Sequence, residues 1–322
     1  MIAKILALAV SGLLLVSVHI VGAQQAKRVY RIGYLSAGTS RSEALRLKAF
    51  SEGLSQKGYV EGENIVLDVR YAEGKPERLP ELAAELVRLK VDIIVGGGAL
   101  IGAAKNATSS IPIVMIFSPD PVRAGHIQSL ARPGGNISGL SSLQVELSGK
   151  RLELFKEAFP KVRRIAVLWS TSTATFEETQ SAAQSLGLKI RPLEVRGVED
   201  FDGVFATAIK EGLDGLFTVT STFLTAQRKR IVDFALKRKL PAMYHNDDFI
   251  DAGGLMTYAP HLLDMHRRAA TYVDKILKGA NPADLPVERP TKFEFLINLQ
   301  TAKQIGVTIP PQVLAPADRV IR

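Results

Sequence analysis

Polar and charged side chains recur in this sequence just after predicted strands, but they match no catalytic signature. The GxxxxGK[ST], HExxH, GxSxG and CxxC motifs are absent from the 322 residues. His245, Asp247 and Asp248 follow one strand, yet their spacing fits no metal-ligand pattern. A helix N-cap is the simpler role for either aspartate. We therefore predict no catalytic residue, no metal site and no cofactor.

A glycine turn at Gly96-Gly97-Gly98 lies between a predicted strand and a predicted helix. It misses the dinucleotide-binding fingerprint, because the third glycine of that motif would fall at Ile101. Two interpretations stay open. The turn presents backbone N–H groups at a helix N-terminus to an anionic ligand group, or it is a tight connection that contacts no ligand.

The elements that carry these residues alternate between strand and helix in two runs, which predicts an α/β fold. Short strands such as 92–95, which is apolar after its first residue, Asp92, are typical of parallel sheets covered on both faces. A stretch rich in proline and glycine, 131–136, separates the runs. The sequence thus predicts two α/β lobes of about 110 residues each. Strands are predicted at 29–35, 64–71, 91–95, 111–117, 164–169, 188–195, 213–219, 241–244, 253–258 and 292–297, and helices at 42–57, 76–89, 99–108, 147–159, 176–186, 200–210, 224–239, 262–277 and 300–305.

Ligands of open α/β sheets bind beyond the carboxyl ends of the strands, so the residues at those ends are the candidate ligand-binding residues. Between two facing lobes these ends form a cleft that closes around a small molecule by a hinge motion. The candidates are Ser36, Gly38, Gly98, Ala99, Ser118, Asp120, Asn136, Trp169, Ser170, Thr220, Ser221, Tyr244, Asp247 and Tyr258.

The types of these residues indicate what the ligand looks like. Trp169, Tyr244 and Tyr258, together with Phe117, predict an apolar or aromatic ligand body. Serines and backbone N–H groups near Gly98 suit a carboxylate, and an aspartate suits an ammonium group. The aspartates are Asp120 and Asp247, of which Asp120 is equally well explained as the cap of the turn after Pro121. A free amino acid or a close relative fits this set.

The first residues predict export. A short cationic start is followed by an apolar stretch and by small residues at Val21-Gly22-Ala23, which predicts a signal peptide over residues 1–23 that is cleaved after Ala23. A retained membrane anchor is the alternative. The chain contains no cysteine, so a lipid-anchored start and disulfides are both excluded. We expect a freely soluble periplasmic protein.

Charge and composition argue against several other classes. The chain is 46% hydrophobic and 23% charged, as ordinary globular proteins are. Its net charge of +9 is spread along the sequence. The densest basic groups, 228–230 and 237–239, have the spacing of solvated helix faces. We predict that nucleic acid is not a partner.

Several long stretches together resemble one known family. The chain from residue 30 to 321 resembles the solute-binding proteins of ABC importers, in the group that includes tryptophan- and tyrosine-associated members. Two departures concern the expected pocket: Trp169-Ser170-Thr171 stands where relatives often have Trp-Asn-Pro, and Thr257-Tyr258-Ala259 where they often have Ser-Tyr-Gly. The stretches that carry the resemblance are Arg31–Ser36, Gly58–Ile65, Leu79–Val87, Asp120–Val122, Leu130–Leu140, Leu147–Leu154, Ala269–Gly279 and Pro290–Glu294.

The resemblance implies a type I periplasmic-binding-protein fold, with two lobes joined by three crossings near Ser138, Tyr258 and Pro286. It implies an N-terminal lobe of 28–138 plus 259–285 and a C-terminal lobe of 139–258 plus 286–322. The implied function is that of an extracytoplasmic, monomeric solute-binding subunit that passes a small molecule to a membrane permease and performs no chemistry.

Two other functions are alternatives. An exported α/β enzyme acting on a small molecule would use Asp120 or His245 as an acid–base group. The ligand core of a transcription regulator with the same fold is disfavoured by the export signal.

Overall fold

The computed structural model describes residues 28–170 and 173–322, and in that part of the chain two β-sheets form two α/β lobes. The predicted cleavage site at Ala23 and residue Thr171 lie outside the described residues. The first sheet is entirely parallel, with the order β2-β1-β3-β4-β5. Its strands are β1 (Tyr30–Ser36), β2 (Ile65–Tyr71), β3 (Ile93–Gly96), β4 (Ile113–Met115) and β5 (Ile137–Gly139).

The second sheet has the order β12-β11-β10-β9-β8-β6-β7. All its neighbours are parallel except β10 and β11, which are antiparallel. Its strands are β6 (Arg164–Trp169), β7 (Lys189–Glu194), β8 (Gly215–Thr218), β9 (Ala242–Tyr244), β10 (Met256–Pro260), β11 (Phe293–Asn298) and β12 (Arg319–Ile321).

Helices cover both faces of each sheet, so the central strands are buried on both sides, as their apolar sequences require. The helices are α1 (Ser40–Ser55), α2 (Leu79–Arg88), α3 (Leu100–Ala107), α4 (Leu147–Ala158), α5 (Thr173–Ser185), α6 (Asp200–Lys210), α7 (Thr222–Ala226), α8 (Arg228–Lys237), α9 (Asp248–Asp251), α10 (Leu262–Leu277), α11 (Leu299–Ile305) and α12 (Pro311–Leu314). Short 3₁₀ turns occur at Pro76–Arg78 and Pro282–Asp284.

The chain passes between the lobes three times: between β5 and α4, between β10 and α10, and between α10 and β11. Helix α10 packs on α1 in the first lobe, and Gly53 makes this possible, because a Cβ there would lie 2.4 Å from the carbonyl oxygen of Arg267. The exact lobe boundaries derived from the sequence remain a prediction.

The three crossings explain the one antiparallel pair in the otherwise parallel second sheet. Strand β10 runs parallel to β9 and leaves its sheet towards the first lobe. After α10 the chain returns from that lobe, so β11 enters the sheet in the opposite direction.

A few elements differ from the sequence-based expectation. The single helix predicted over 224–239 is two helices, α7 and α8, because Gln227 between them departs from helical geometry with φ −96° and ψ 13°. The short elements β5, α9, α12 and β12 were not predicted, since three or four residues carry too little periodicity to be recognised. Within the described residues, no helix has both the length and the apolar character that crossing a membrane requires.

Candidate functional site

A large cavity lies between the two lobes, where the carboxyl ends of strands from both sheets meet. Its volume is about 970 Å³, near the upper end of the roughly 300–1,000 Å³ found in small-molecule sites. Both lobes line it: the first contributes the segments after β1, β3 and β4, and the second those after β6, β8 and β9. This is the place where sheets of this type bind ligands.

The wall formed by the first lobe combines the glycine turn with an aromatic ring. A Cβ on Gly97 would lie 2.5 Å from the ring of Phe117, so only glycine lets this ring pack against the turn. Gly98 adopts φ +62° and donates its N–H to the carbonyl oxygen of Phe117 at 2.9 Å. The amide of Gly98 is therefore engaged in the turn, and the ring of Phe117 supplies apolar surface to the cavity.

A cluster of ion pairs joins the two lobes at the edge of this cavity. Arg46 on α1 contacts Glu43 at 3.0 Å, Asp248 of the other lobe at 2.8 Å and Asp247 at 3.7 Å. The side chain of Arg46 is only 16% exposed, so water screens these contacts little. Burial raises the pKa of Asp247 to about 6, although the positive charge of Arg46 acts in the opposite direction.

A second interlobe ion pair joins Arg123 and Glu177 at 2.7 Å, but both of its side chains are more than half exposed. Surface pairs of this kind contribute little to stability. The less exposed cluster around Arg46 is therefore the stronger of these two ion-pair contacts.

A buried cation of a different kind lies behind the wall formed by the second lobe. Arg151 on α4 is fully buried and donates from Nε to the carbonyl oxygen of Tyr258 at 2.8 Å. Its Nη2 donates to Oε1 of Gln144, and the same oxygen accepts from the hydroxyl of Thr220 at 2.8 Å. Gln144 and Thr220 line the cavity. Burial lowers the pKa of Arg151 to about 9, so the guanidinium remains charged at neutral pH.

His245 also lines the cavity, but both of its ring nitrogens are engaged. Nδ1 lies 2.9 Å from the hydroxyl of Thr218, and Nε2 lies 2.9 Å from the hydroxyl of Thr225. Burial lowers the pKa of His245 to about 3, and the charge of Arg151 acts in the same direction. The imidazole is therefore neutral at physiological pH, and it holds the strand end in place.

Comparison with known proteins identifies the family to which this chain belongs. The sequence matches the family described as ABC transporter substrate binding protein over residues 39–321. The chain belongs to this family. The resemblance and the fold class derived from the sequence are confirmed: the chain is a type I periplasmic-binding-protein-like α/β protein with amino-acid-binding relatives.

Three proteins similar to this substrate-binding protein illustrate the family. A tyrosine-binding protein of Clostridioides difficile (strain R20291) is 27% identical over 266 residues, covering 81% of this chain and 76% of that protein. The structure of an ABC domain from Streptococcus pneumonia in complex with L-Trp is 26% identical, with a TM-score of 0.83 over 91% of this chain and 100% of that one. A conserved domain protein from Vibrio cholerae O1 biovar El Tor is also 26% identical, with a TM-score of 0.84 and the same coverage.

The structure of this substrate-binding protein brings nine of the fourteen candidate residues together around the cavity. Within this group, Ser221 caps α7 by accepting from the N–H of Leu224, and Asp120 caps its turn by accepting from the N–H of Arg123 at 3.0 Å. The nine are Ser36, Gly38, Gly98, Ala99, Ser118, Asp120, Ser170, Thr220 and Ser221.

Three aromatic candidates lie outside the lining of the cavity. Trp169 stacks on Phe176 with ring centroids 4.7 Å apart, because successive residues of a strand point to opposite faces and it is Ser170 that faces the cavity. Tyr244 is buried and stacks on Phe249 at 4.7 Å. Tyr258 packs its ring in the core of the second lobe and contributes its carbonyl oxygen to Arg151. We leave all three out of the proposed site.

The two remaining candidates have structural contacts. Asn136 donates from Nδ2 to the carbonyl oxygens of Thr108 and Ile111, and so ties the start of β5 to the segment before β4. Asp247 belongs to the ion-pair cluster at the edge of the cavity. Neither residue lines the cavity, and we leave both out of the proposed site.

Several lining residues escaped sequence reasoning because none of them follows a strand that the sequence predicted. Glu43 and Arg46 lie on α1, and Ser142 and Gln144 lie in the connection from β5 to α4. The one signal available was spacing: Glu43 and Arg46 are three residues apart, which places them on the same helix face. In the described residues, no group of three or more His, Cys, Asp or Glu side chains has the geometry of a metal site.

Proposed function

We propose that this protein is the extracytoplasmic substrate-binding subunit of an ABC importer and that its ligand is an amino acid with an aromatic or apolar side chain. The observation that carries the proposal is the cavity of about 970 Å³ between the lobes, which has apolar rings on its walls and buried polar groups at one end. Phe117 and Phe223 provide the rings. The tyrosine-binding relative and the relative in complex with L-Trp support this ligand class.

The mechanism that we propose is hinge closure. Arg46 of the first lobe and Asp248 of the second make their 2.8 Å contact only when the lobes are close together. A ligand that contacts both walls favours the same arrangement, so binding shifts the population towards the compact form. A membrane permease, which the family's transport role implies, is the proposed recipient of the ligand. We propose a monomer that is exported and cleaved after Ala23.

The alternative of an exported enzyme finds less support. His245 is neutral and hydrogen-bonded at both nitrogens, and Asp120 caps a turn, so neither residue is a free acid–base group. We therefore propose that the bound molecule is released unchanged.

Calorimetric titration of the purified mature protein with L-tryptophan, L-tyrosine and L-leucine tests the ligand class. We expect saturable one-to-one binding of at least one aromatic amino acid, and mass spectrometry of the released molecule should find it unaltered. Small-angle scattering should give a smaller radius of gyration at saturation. Absence of binding for all three amino acids, or recovery of a modified product, would contradict the proposal.

A further inference from the structure

The buried guanidinium of Arg151 has no counter-ion in the part of the chain that the structure describes. The side chain is fully buried, and no carboxylate in the described ranges 28–170 and 173–322 forms an ion pair with it. Its Nη1 has no hydrogen-bond partner among these residues. A buried charge without a partner is costly, and natural structures compensate such charges with ions of the opposite sign. The missing negative charge points to a ligand.

The hydrogen bonds around Gln144 fix which way its amide group points. A guanidinium only donates hydrogen bonds, so the atom of Gln144 that contacts Nη2 of Arg151 is the oxygen, Oε1. The hydroxyl of Thr220 donates to the same oxygen at 2.8 Å. The amide nitrogen therefore points away from Arg151. Gln144 lines the cavity, and its Nε2 finds no acceptor in the described part of the protein. Two N–H groups are thus available to a ligand.

A second unpaired donor, the side-chain hydroxyl of Ser142, lies two residues before this glutamine in the sequence. Ser142 lines the cavity, its side chain is 1% exposed, and its buried hydroxyl has no hydrogen-bond partner among the described residues. Leu143, between the two polar residues, adopts φ +52°, a conformation that costs a leucine energy. Strain of this kind persists where the surrounding structure requires it, and it is often found at ligand sites.

We propose that this corner of the cavity, formed by Ser142 and Gln144 with Arg151 behind them, binds the carboxylate group of the ligand. The inference rests on the proposed function for the cavity itself, and it adds the orientation of the ligand. Ser142 and Gln144 donate hydrogen bonds to the carboxylate. Arg151 is a positioning residue: it holds the amide of Gln144 in the donating orientation and supplies a positive potential through it.

This assignment differs from the sequence-based expectation that Ser36, Ser118, Ser170 and the backbone N–H groups near Gly98 suit the carboxylate. The amide of Gly98 is already bonded to Phe117. The wall that carries the turn also contains Glu43, and its cation, Arg46, is surrounded by three carboxylates. A ligand carboxylate is therefore electrostatically favoured at the opposite wall.

The first experiment compares four probes on the wild-type protein by calorimetry. L-Tryptophan carries a carboxylate and an amine, indole-3-propionate only the carboxylate, tryptamine only the amine, and L-tryptophanamide a neutral amide in place of the carboxylate. We expect tryptamine and L-tryptophanamide to bind at least tenfold more weakly than L-tryptophan, and indole-3-propionate to retain measurable binding. Equal affinity for L-tryptophan and tryptamine would overturn the inference and leave the proposed function intact.

The second experiment compares two variants of the protein, Gln144→Glu and, as a matched control, Gln144→Leu. In Gln144→Glu, the new carboxylate neutralises Arg151 and repels the ligand carboxylate. We expect a higher Tm of the ligand-free protein and at least tenfold weaker binding of L-tryptophan, with tryptamine binding unchanged or improved. Gln144→Leu removes the amide without adding charge, so it should lower both the Tm and the affinity for L-tryptophan.

The outcomes separate the two proposals. If L-tryptophan and L-tyrosine do not bind but indole-3-propionate binds and is lost in Gln144→Glu, the amino-acid proposal fails and the carboxylate corner stands. If no carboxylate probe binds, or if Gln144→Glu weakens L-tryptophan and tryptamine equally, the carboxylate corner is overturned. A Tm that falls in Gln144→Glu as it does in Gln144→Leu also counts against it, because Arg151 would then lack the predicted uncompensated charge.

Discussion

Each lobe places an arginine at the cavity, Arg46 in its lining and Arg151 behind its wall, and the surroundings of these two arginines differ. Arg46 contacts Glu43 and Asp248 directly and lies near Asp247, so its charge is compensated within the protein. Arg151 has a carbonyl and an amide oxygen as its partners and no carboxylate among the described residues. Arg46 connects the lobes, whereas the uncompensated charge of Arg151 makes the electrostatic potential positive at one end of the cavity. Residue type alone does not distinguish these roles; the neighbours do.

Removal of each guanidinium tests this difference most directly. Arg46→Met leaves three carboxylates close together without their cation, and we expect the free energy of unfolding to fall by about 3 kcal/mol. Arg151→Met removes an uncompensated charge and fills its volume with an apolar side chain, so the change should stay within about 1 kcal/mol. Urea unfolding of both variants measures the two values. Equal losses would mean that both arginines have the same structural role.

A double replacement sharpens this result. Asp248→Asn in the Arg46→Met background removes one of the stranded charges, so it should restore part of the lost stability. An additive further loss would show that the carboxylates do not depend on Arg46.

A buried neutral histidine on each wall predicts how stability depends on pH. Burial lowers the pKa of His245 and of His266 from 6.5 to about 3. The unfolded chain therefore binds protons between pH 6.5 and 3 that the folded protein does not, and stability falls as the pH falls through this window. At pH 5 the loss is about 2 kcal/mol per histidine. Asp247, with its raised pKa, acts in the opposite direction between about pH 6 and 4.

Unfolding measurements at pH 7 and pH 5 check this prediction. His245→Asn and His266→Asn should each reduce the difference between the two pH values by about 2 kcal/mol. If the difference is the same in the wild type and in both variants, the histidines are not the groups that titrate.

The aromatic residues provide the next test, because only some of them line the cavity. Phe117→Ala should weaken the binding of L-tryptophan by at least tenfold, about 1.4 kcal/mol, since the ring forms part of the cavity wall. Trp169→Phe should change the affinity less than threefold, because Trp169 stacks on Phe176 outside the lining. Calorimetry measures the affinity of both variants for L-tryptophan and shows which aromatic residue contributes to binding. A larger effect at Trp169 would return this residue to the site.

The smallest effect is expected at the exposed interlobe pair. Glu177→Gln removes the ion pair with Arg123. The side chains of both residues are more than half exposed. We expect less than about 0.5 kcal/mol of stability to be lost. The same measurement in 1 M salt should give no difference between variant and wild type, because screening removes what little the pair contributes. A loss comparable with that of Arg46→Met would show that both pairs hold the lobes together.

The two α/β lobes and the location of the cavity between them follow from the sequence. Fully apolar strands such as Ile93–Gly96 specify a sheet covered on both faces, and the ligand crevice of such a sheet lies at its carboxyl ends. Ser36, Ser118 and Ser170, which follow three of the predicted strands, all line the same cavity. These predictions depend on the local periodicity of apolar residues and on a general property of open α/β sheets, and neither requires knowledge of the folded structure.

Which side chains face the cavity, and how their charges are balanced, depends on how the folded chain brings distant residues together. Trp169 and Ser170 are neighbours in the sequence, but the alternation of a strand sends one of them into the core and the other to the site. Arg46 meets Asp248 across 202 positions, and Arg151 meets Tyr258 across 107. Electrostatic energy depends on distance and burial in three dimensions, so the compensated and the uncompensated arginine are indistinguishable until the chain is folded.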